Sequence, residues 1–300
     1  MIVCTSVDAL TPCEQHDGTW YKRDDLFVPF ADVPLSGGKV RQAMALLKPK
    51  AMEIRRRGGV VLTATGVHSP QGLIIARVAH EYGLRTVIFV GATSEARALR
   101  HPMLKTAMRF NASLDCSARV AYESAFTKQI ERWRAVHRGG FHVKFGINLR
   151  DAPDAILGST AEQARNVPAE VTTVVVPVGA GITAAGILLG LKKHCPQVQR
   201  VVLVQIAGYD RRAEIDAVAC GLRYDYHAIS RYPYGHELRR SVANTFVLDP
   251  IYEAKAHQYM CEVLRLHGPT VLYWIIGDSS AVRTASARVG SFPSRLERAP

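Results

Sequence analysis

The stretch Thr172-Thr173-Val174-Val175-Val176-Pro177-Val178-Gly179-Ala180-Gly181-Ile182-Thr183-Ala184-Ala185-Gly186 decides the fold. Its first half is β-branched and uncharged. That composition suits a strand buried on both faces, and strands of this kind belong to parallel sheets. Two glycines turn the chain, and Thr183 to His194 then reads as a helix. Working outward, the same rhythm recurs. Val201 to Ile206 reads as a strand, Tyr252 to His267 as a helix and Val271 to Ile276 as a last strand. Upstream, Val60 to Ala64 is a strand, and Pro70 to Tyr82 is a helix closed by Gly83. Thr86 to Val90 is a strand, Glu95 to Ala112 mostly helix, Ala118 to His137 a helix and His142 to Phe145 a short strand. Two such groups, divided near residue 150, predict an α/β protein of two three-layer α/β/α domains with mostly parallel sheets. Ligands in such folds lie in the cleft at the carboxyl ends of the strands.

Gly179 to Thr183 carries the first chemical signal. The glycines allow a tight turn that aims successive N–H groups at one point, and the helix N-terminus adds partial positive charge there. Thr183 is positioned to cap the helix and to donate its hydroxyl. Gly179, Ala180, Gly181, Ile182 and Thr183 therefore form a phosphate cradle. No Gly-Lys-Ser/Thr follows, so this is not a nucleotide P-loop. No acidic residue closes the strand at Val201 to Ile206, which weakens a dinucleotide reading. Helix packing alone also selects glycines.

The second signal is Lys39 in Leu35-Ser36-Gly37-Gly38-Lys39-Val40-Arg41. It follows two glycines at the start of a helix. The helix N-terminus and Arg41 favour its neutral amine, the form that attacks aldehydes. The plain alternative is a surface lysine in a loop. Taken together, a nucleophilic lysine and an N–H nest suit pyridoxal 5'-phosphate, which needs one for its aldehyde and the other for its phosphate.

Five segments then resemble the tryptophan synthase β-like superfamily of fold type II pyridoxal phosphate enzymes. Within it, the chain looks most similar to the 1-aminocyclopropane-1-carboxylate deaminase and D-cysteine desulfhydrase family. Tyr21-Lys22-Arg23-Asp24-Asp25-Leu26 resembles an N-terminal strand of that family, and Ser36 to Arg41 its lysine motif. Gly66-Val67-His68-Ser69-Pro70-Gln71 resembles its Ser-Asn-Gln turn. Gly179 to Gly186 resembles its phosphate loop, and Asp249-Pro250-Ile251-Tyr252-Glu253-Ala254-Lys255 its Asp-Pro-Val-Tyr-Glu-Gly-Lys motif. The ordered set runs from about residue 20 to residue 277.

The resemblance implies a cofactor between the domains, residues 1–40 with 151–300 forming the large domain and 41–150 the small. It implies Lys39 as the Schiff-base lysine and proton carrier. Ser69 would bind the substrate carboxylate or relay a proton, and Tyr252 would act as acid, base or orienter. Ser69 also reads as a helix cap ahead of Pro70, and Tyr252 as a core tyrosine. A homodimer is implied as well.

The departures bear on the reaction more than on the cofactor. Pro70 stands where the family has an asparagine that bonds the cofactor's phenolic oxygen, leaving His68 or Gln71 to replace it. Gly38 stands where the lysine motif has asparagine. After the last strand, Gly277-Asp278-Ser279-Ser280 replaces the usual turn. Asp278 at the pyridine nitrogen would strengthen the electron sink and favour decarboxylation or racemisation. Ser279 or Ser280 there would favour β-elimination or replacement.

Composition sets the outer bounds. The chain of 300 residues is 48% hydrophobic and 21% charged, which excludes global disorder and coiled coil. No apolar run is long enough to span a membrane and no secretory signal is visible, so a soluble cytoplasmic protein is expected. Six scattered cysteines without a C-x-x-C pair fit a reducing compartment, although Cys4 and Cys13 are near enough in sequence to pair. The histidines lack metal-ligand spacing, so no metal is expected. Thirty-eight basic against twenty-six acidic residues give a net charge of +12. A solvated basic surface accounts for that, and so does an anionic partner. The first expectation is a pyridoxal phosphate-dependent lyase or deaminase acting on a small amino acid. The alternative, which the charge favours, is a decarboxylase or lyase acting on an amino acid attached to DNA or RNA in hypermodified base synthesis. A non-catalytic nucleic-acid-binding relative is a third reading, and an intact Lys39 argues against it.

Overall fold

The computed structural model describes residues 4–289, apart from 121–122, 145, 148–153, 207–209, 220 and 234. In chain order, a hairpin of β1 (Cys13–His16) and β2 (Thr19–Arg23) precedes α1 (Gly38–Leu47) and α2 (Ala51–Arg56). A β–α–β run follows: β3 (Val60–Thr65), α3 (Gln71–Glu81), β4 (Arg85–Val90), α4 (Glu95–Ala98), α5 (Pro102–Ala107), β5 (Ala112–Asp115), α6 (Glu123–His137) and β6 (Phe141–Val143). The second run holds α7 (Asp154–Ala161), β7 (Thr173–Val178), α8 (Ile182–His194), β8 (Arg200–Gln205), α9 (Arg212–Val218) and β9 (Asp225–Ala228). A short hairpin of β10 (Ser241–Val242) and β11 (Phe246–Val247), then α10 (Glu253–Glu262), β12 (Val271–Ile275) and α11 (Ser280–Val289), complete it.

Two sheets result. The larger has the order β1-β2-β12-β7-β8-β9 and the smaller β5-β4-β3-β6. The smaller is wholly parallel. The larger is parallel except where β1 turns back on β2. This is the α/β architecture expected from uncharged strands set between amphipathic helices. The valines of β7 show why: Val174, Val175 and Val176 are all fully buried, so neither sheet face meets water.

The Tyr21–Leu26 motif serves the scaffold. Lys22 is fully buried, and its Nζ donates to the Thr11 carbonyl at 2.6 Å and to Asn166 Oδ1 at 2.5 Å. Asp24 accepts from Thr11 Oγ1, from Trp274 Nε1 and from Arg41. These bonds tie β2 to its neighbour β12 and to the chain after α7. Cys4 and Cys13 are both free, so that pairing is not made. No helix among the described residues is long and apolar enough to cross a membrane.

Some elements differ from the sequence expectation. The helix expected over Glu95 to Ala112 is two short helices and the strand β5. Pro102 opens the second helix, and Asn111 takes a left-handed φ of 52°, which ends helical hydrogen bonding and feeds the chain into pairing with β4. The helix expected to reach His267 stops at Glu262, and Arg265 turns the chain with φ 52°. Gly83 does close α3: its φ is 67°, and Leu84 N–H reaches back to the Ala79 carbonyl.

Candidate active site

The lysine loop is clamped to the end of β12. Gly37 has φ 100°, and a Cβ there would press on the Ile276 carbonyl and lie 2.5 Å from Gly277 Cα. No other residue combines that φ with that approach. Gly38 N–H donates to the Ile276 carbonyl at 2.8 Å. Ser36 Oγ donates to the Asp278 carbonyl at 3.1 Å and accepts from Asp278 N–H at 3.0 Å. The loop therefore delivers Lys39 to one position on α1.

Lys39 is half-buried and lines a cleft of about 760 Å³. Burial lowers its pKa to about 8, with the Glu253 carboxylate opposing the shift. Arg41 is not the neighbouring cation that sequence suggested. It is fully buried, stacked over Phe27 at 4.3 Å and turned toward Asp24. Desolvation, rather than a neighbouring charge, favours the neutral amine.

Beside the lysine loop lies the turn from β7 into α8, and a Cβ on Gly38 would stand 3.8 Å from Thr183 Cγ2. Gly181 is the N-cap with φ 90°, and the helix runs thirteen residues. The first N–H groups of such a helix have no partner within it, so those at Ile182 and beyond face the cleft with the dipole behind them. A Cβ on Gly179 would stand 3.2 Å from the Tyr252 ring, so the ring closes directly over the turn. Thr183 does not cap. Gly181 already holds the cap position, and Thr183 Oγ1 accepts from Gln42 Nε2 at 3.0 Å. Gly186 serves helix packing: a Cβ there would lie 2.7 Å from Thr160 Cβ on α7. A lysine with a depressed pKa and a glycine turn at a helix N-terminus on one cleft fit pyridoxal 5'-phosphate.

Asp249, Tyr252, Glu253 and residues 276–279 complete this wall of the cleft. Asp249 is buried. Its carboxylate accepts from Ile251 N–H, Tyr252 N–H, Ser279 N–H and the Ser279 hydroxyl. One side chain thus joins the start of α10 to the turn after β12, and sets Tyr252 at the cleft. Glu253 is also buried. Burial, with Asp249 adding to it, raises its carboxyl well above the usual range, and Oε1 accepts from Gly277 N–H at 3.3 Å. Asp278 lines the cleft with its carboxyl raised by burial and held by Ser280 N–H at 2.7 Å. Sequence motifs contained Ser36, Asp249 and Glu253 without assigning them roles. The small residue before Gly-Gly and the Asp-Pro pair were the available signals.

The structure does not bring every expected residue to the cleft wall. Pro70 and Ile74 line it from the α3 side, whereas His68, Ser69 and Gln71 stand behind them. Gln71 is occupied: Nε2 donates to Thr63 Oγ1 and to the Ala64 and Lys144 carbonyls, and Oε1 accepts from Gly146 N–H at 2.8 Å. Ser69 Oγ accepts from Gln71 N–H at 3.3 Å, a capping contact at the start of α3. His68 packs edge-on against His101 with centroids 5.1 Å apart, and its carbonyl accepts from Arg283. Burial lowers the pKa of His68 and takes that of His101 to about 4, so both rings are neutral at pH 7. No cluster of metal ligands occurs among the described residues.

Comparison with known proteins agrees with this geometry. The model of the family described as pyridoxal-phosphate dependent enzyme matches residues 4–232. The O-seryl-dTMP PLP-dependent decarboxylase of Salmonella phage ViI is 27% identical over 217 residues, covering 65% of this chain and 50% of that protein. The chain thus spans about half the length of that curated relative. A solved ACC deaminase homologue superposes with TM-score 0.73 at 19% identity, covering 94% of each chain. Threonine deaminase isoform 2 from Solanum lycopersicum does so with TM-score 0.58 at 14% identity, covering 93% of this chain and 83% of that one. At these identities the structural likeness is one of fold.

Proposed function

The chain belongs to the pyridoxal-phosphate dependent enzymes, and from that premise we propose that it is a lyase that decarboxylates an amino acid attached to a nucleotide of DNA or RNA. One observation carries the reading: the 27% identity to a relative named for decarboxylating O-seryl-dTMP. The net charge of +12 supports it, since a free amino acid needs no cationic surface and a polyanion does.

When bound, the cofactor supplies an electron sink for the pair left at the substrate α-carbon. The residues of the chain do the rest. The first-turn N–H groups of α8, with Gly179 and Ala180, would hold the phosphate. Lys39 Nζ would anchor the aldehyde end and is placed to return a proton to the substrate α-carbon. The bond that breaks is the one from the α-carbon to the carboxylate, and carbon dioxide carries that carbon away. In this reading Asp278 would serve the ring nitrogen, a choice supported by the Ser279 hydroxyl being given to Asp249. That choice favours loss of carbon dioxide over β-elimination. Tyr252, held over the phosphate turn, orients the bound ring. Pro70 and Ile74 present an apolar wall where a smaller substrate would call for polar contacts.

The test is to incubate the holoenzyme with O-seryl-dTMP, free and within an oligonucleotide, and to follow the product by mass. Loss of carbon dioxide is the expected outcome. Ammonia or hydrogen sulfide released from small free amino acids, with the nucleotide unchanged, would replace this reading with the free amino acid lyase or deaminase.

A further inference from the structure

A second concavity, away from the cofactor cleft, runs along β6, the edge strand of the smaller sheet. It measures about 1080 Å³ and brings together Lys50 and Arg57 from the α2 region, Arg134 from α6, and His142 and Lys144 from β6 and its end. A smaller hollow continues from it and shares Arg134, His142 and Lys144. Among the described residues two acids enter this surface. Glu53 is paired with Arg57 at 3.2 Å, and Glu131 lies in the smaller hollow.

The inner end of this groove meets the active site. Lys144 accepts through its carbonyl from Gln71 Nε2 at 3.0 Å, and Gly146 N–H donates to Gln71 Oε1. A Cβ on Gly146 would stand 2.5 Å from Ala180 Cβ, in the phosphate turn that lines the cofactor cleft. β6 is parallel to β3, so its carboxyl end points to the same edge as the turn that carries Ser69 and Pro70. At about 3.3 Å per extended residue, β6 itself spans about 10 Å, the reach of a nucleotide or two.

We propose that this groove carries the sugar–phosphate backbone of the nucleic acid whose modified base enters the cofactor cleft. The proposal rests on the reading of the substrate as nucleic-acid-linked. Lysine and arginine around a backbone supply affinity without reading sequence, and position the base for chemistry elsewhere. A protein partner fits poorly. Phe141 in the groove lies beneath Lys50 Nζ at 5.7 Å, whereas protein interfaces are depleted in lysine at their cores. Chemistry on a base requires that it leave the stack, so a single strand should bind better than a duplex.

The experiment uses holoenzyme carrying Lys50→Glu with Arg134→Glu, and a control carrying Lys192→Glu with Arg223→Glu, which makes the same charge change outside the groove. Binding of a labelled thymidine oligonucleotide is read by fluorescence anisotropy across a salt series. Thermal unfolding, cofactor absorbance and oligomeric state are recorded for each protein. The groove variant should bind about tenfold or more weakly at moderate salt, and its salt slope should flatten by about 2. The control should follow the wild type. Equal weakening in both variants would overturn the groove in favour of diffuse attraction. So would unchanged binding in the groove variant, or a change in oligomeric state alone. Wild type that binds and decarboxylates the oligonucleotide while the groove variant matches it sinks the groove and keeps the function. Wild type that binds no nucleic acid at all, yet acts on free amino acids, sinks both.

Discussion

The two walls of the cofactor cleft are built differently. The wall from the larger sheet supplies Lys39, the 179–183 turn, Tyr252, Glu253 and Asp278, and is held by glycine approaches and a four-bond carboxylate. The wall from the smaller sheet supplies Pro70 and Ile74, with its polar residues turned into the scaffold behind. In the proposed reading the cofactor's aldehyde and phosphate would face the first wall. Departures from the family pattern fall on both, Gly38 and the 277–280 turn on the first and Pro70 on the second.

Changes on the first wall should therefore cost far more than changes on the second. Lys39→Ala should lower turnover by about 10³-fold or more, and borohydride should trap no cofactor on the protein. Retained trapping would move the anchor elsewhere and dissolve the contrast. Asp249→Ala strands several buried donors, so urea unfolding should show a loss of about 3 kcal/mol or more, with weakened cofactor binding. The pH dependence sharpens the same wall. With the pKa of Lys39 at about 8, capture of pyridoxal phosphate should rise about tenfold per pH unit below 8 and level off above. The sign for stability follows the same group. Between about 8 and the ordinary 10.5 the unfolded chain holds the extra proton, so the Lys39 contribution to stability improves as pH rises through that window. A flat capture profile between pH 6 and 8 would contradict the lowered value.

On the second wall, Gln71→Ala should cost about 1–2 kcal/mol in unfolding, since it releases Gly146 N–H and the Lys144 carbonyl. Its KM should rise more than its cofactor affinity falls. Ser69→Ala should have the smallest effect, a severalfold rise in KM, because its hydroxyl makes one capping contact behind the cleft surface. A Ser69→Ala loss as deep as that of Lys39→Ala would place catalysis on the wrong wall.

Much of this was legible in the sequence because it is local. The uncharged run Thr172 to Val178 can only be a buried strand, and Gly179 to Gly181 can only be a turn where backbone N–H groups converge. Lys39 behind two glycines was legible for the same reason. β5 was not, since Ala112-Ser113-Leu114-Asp115 has little strand character of its own and is held by pairing with β4. Thr183 was misjudged as a cap because sequence does not show that Gly181 takes that place with a positive φ. The roles expected of His68 and Gln71 depended on where their side chains turn, and packing turns them into the scaffold.

The sequence by itself determined the class of fold, the cofactor and the excess of positive charge. Each follows from neighbours in the chain or from simple counting. Tertiary structure alone decided that burial, rather than Arg41, lowers the pKa of Lys39. It alone decided that Asp249 joins two distant turns, and that bases from α2, α6 and β6 line one groove ending at the site. Those are relations between residues up to 90 positions apart or more, and only the packing of the two sheets sets the distances on which desolvation and charge depend.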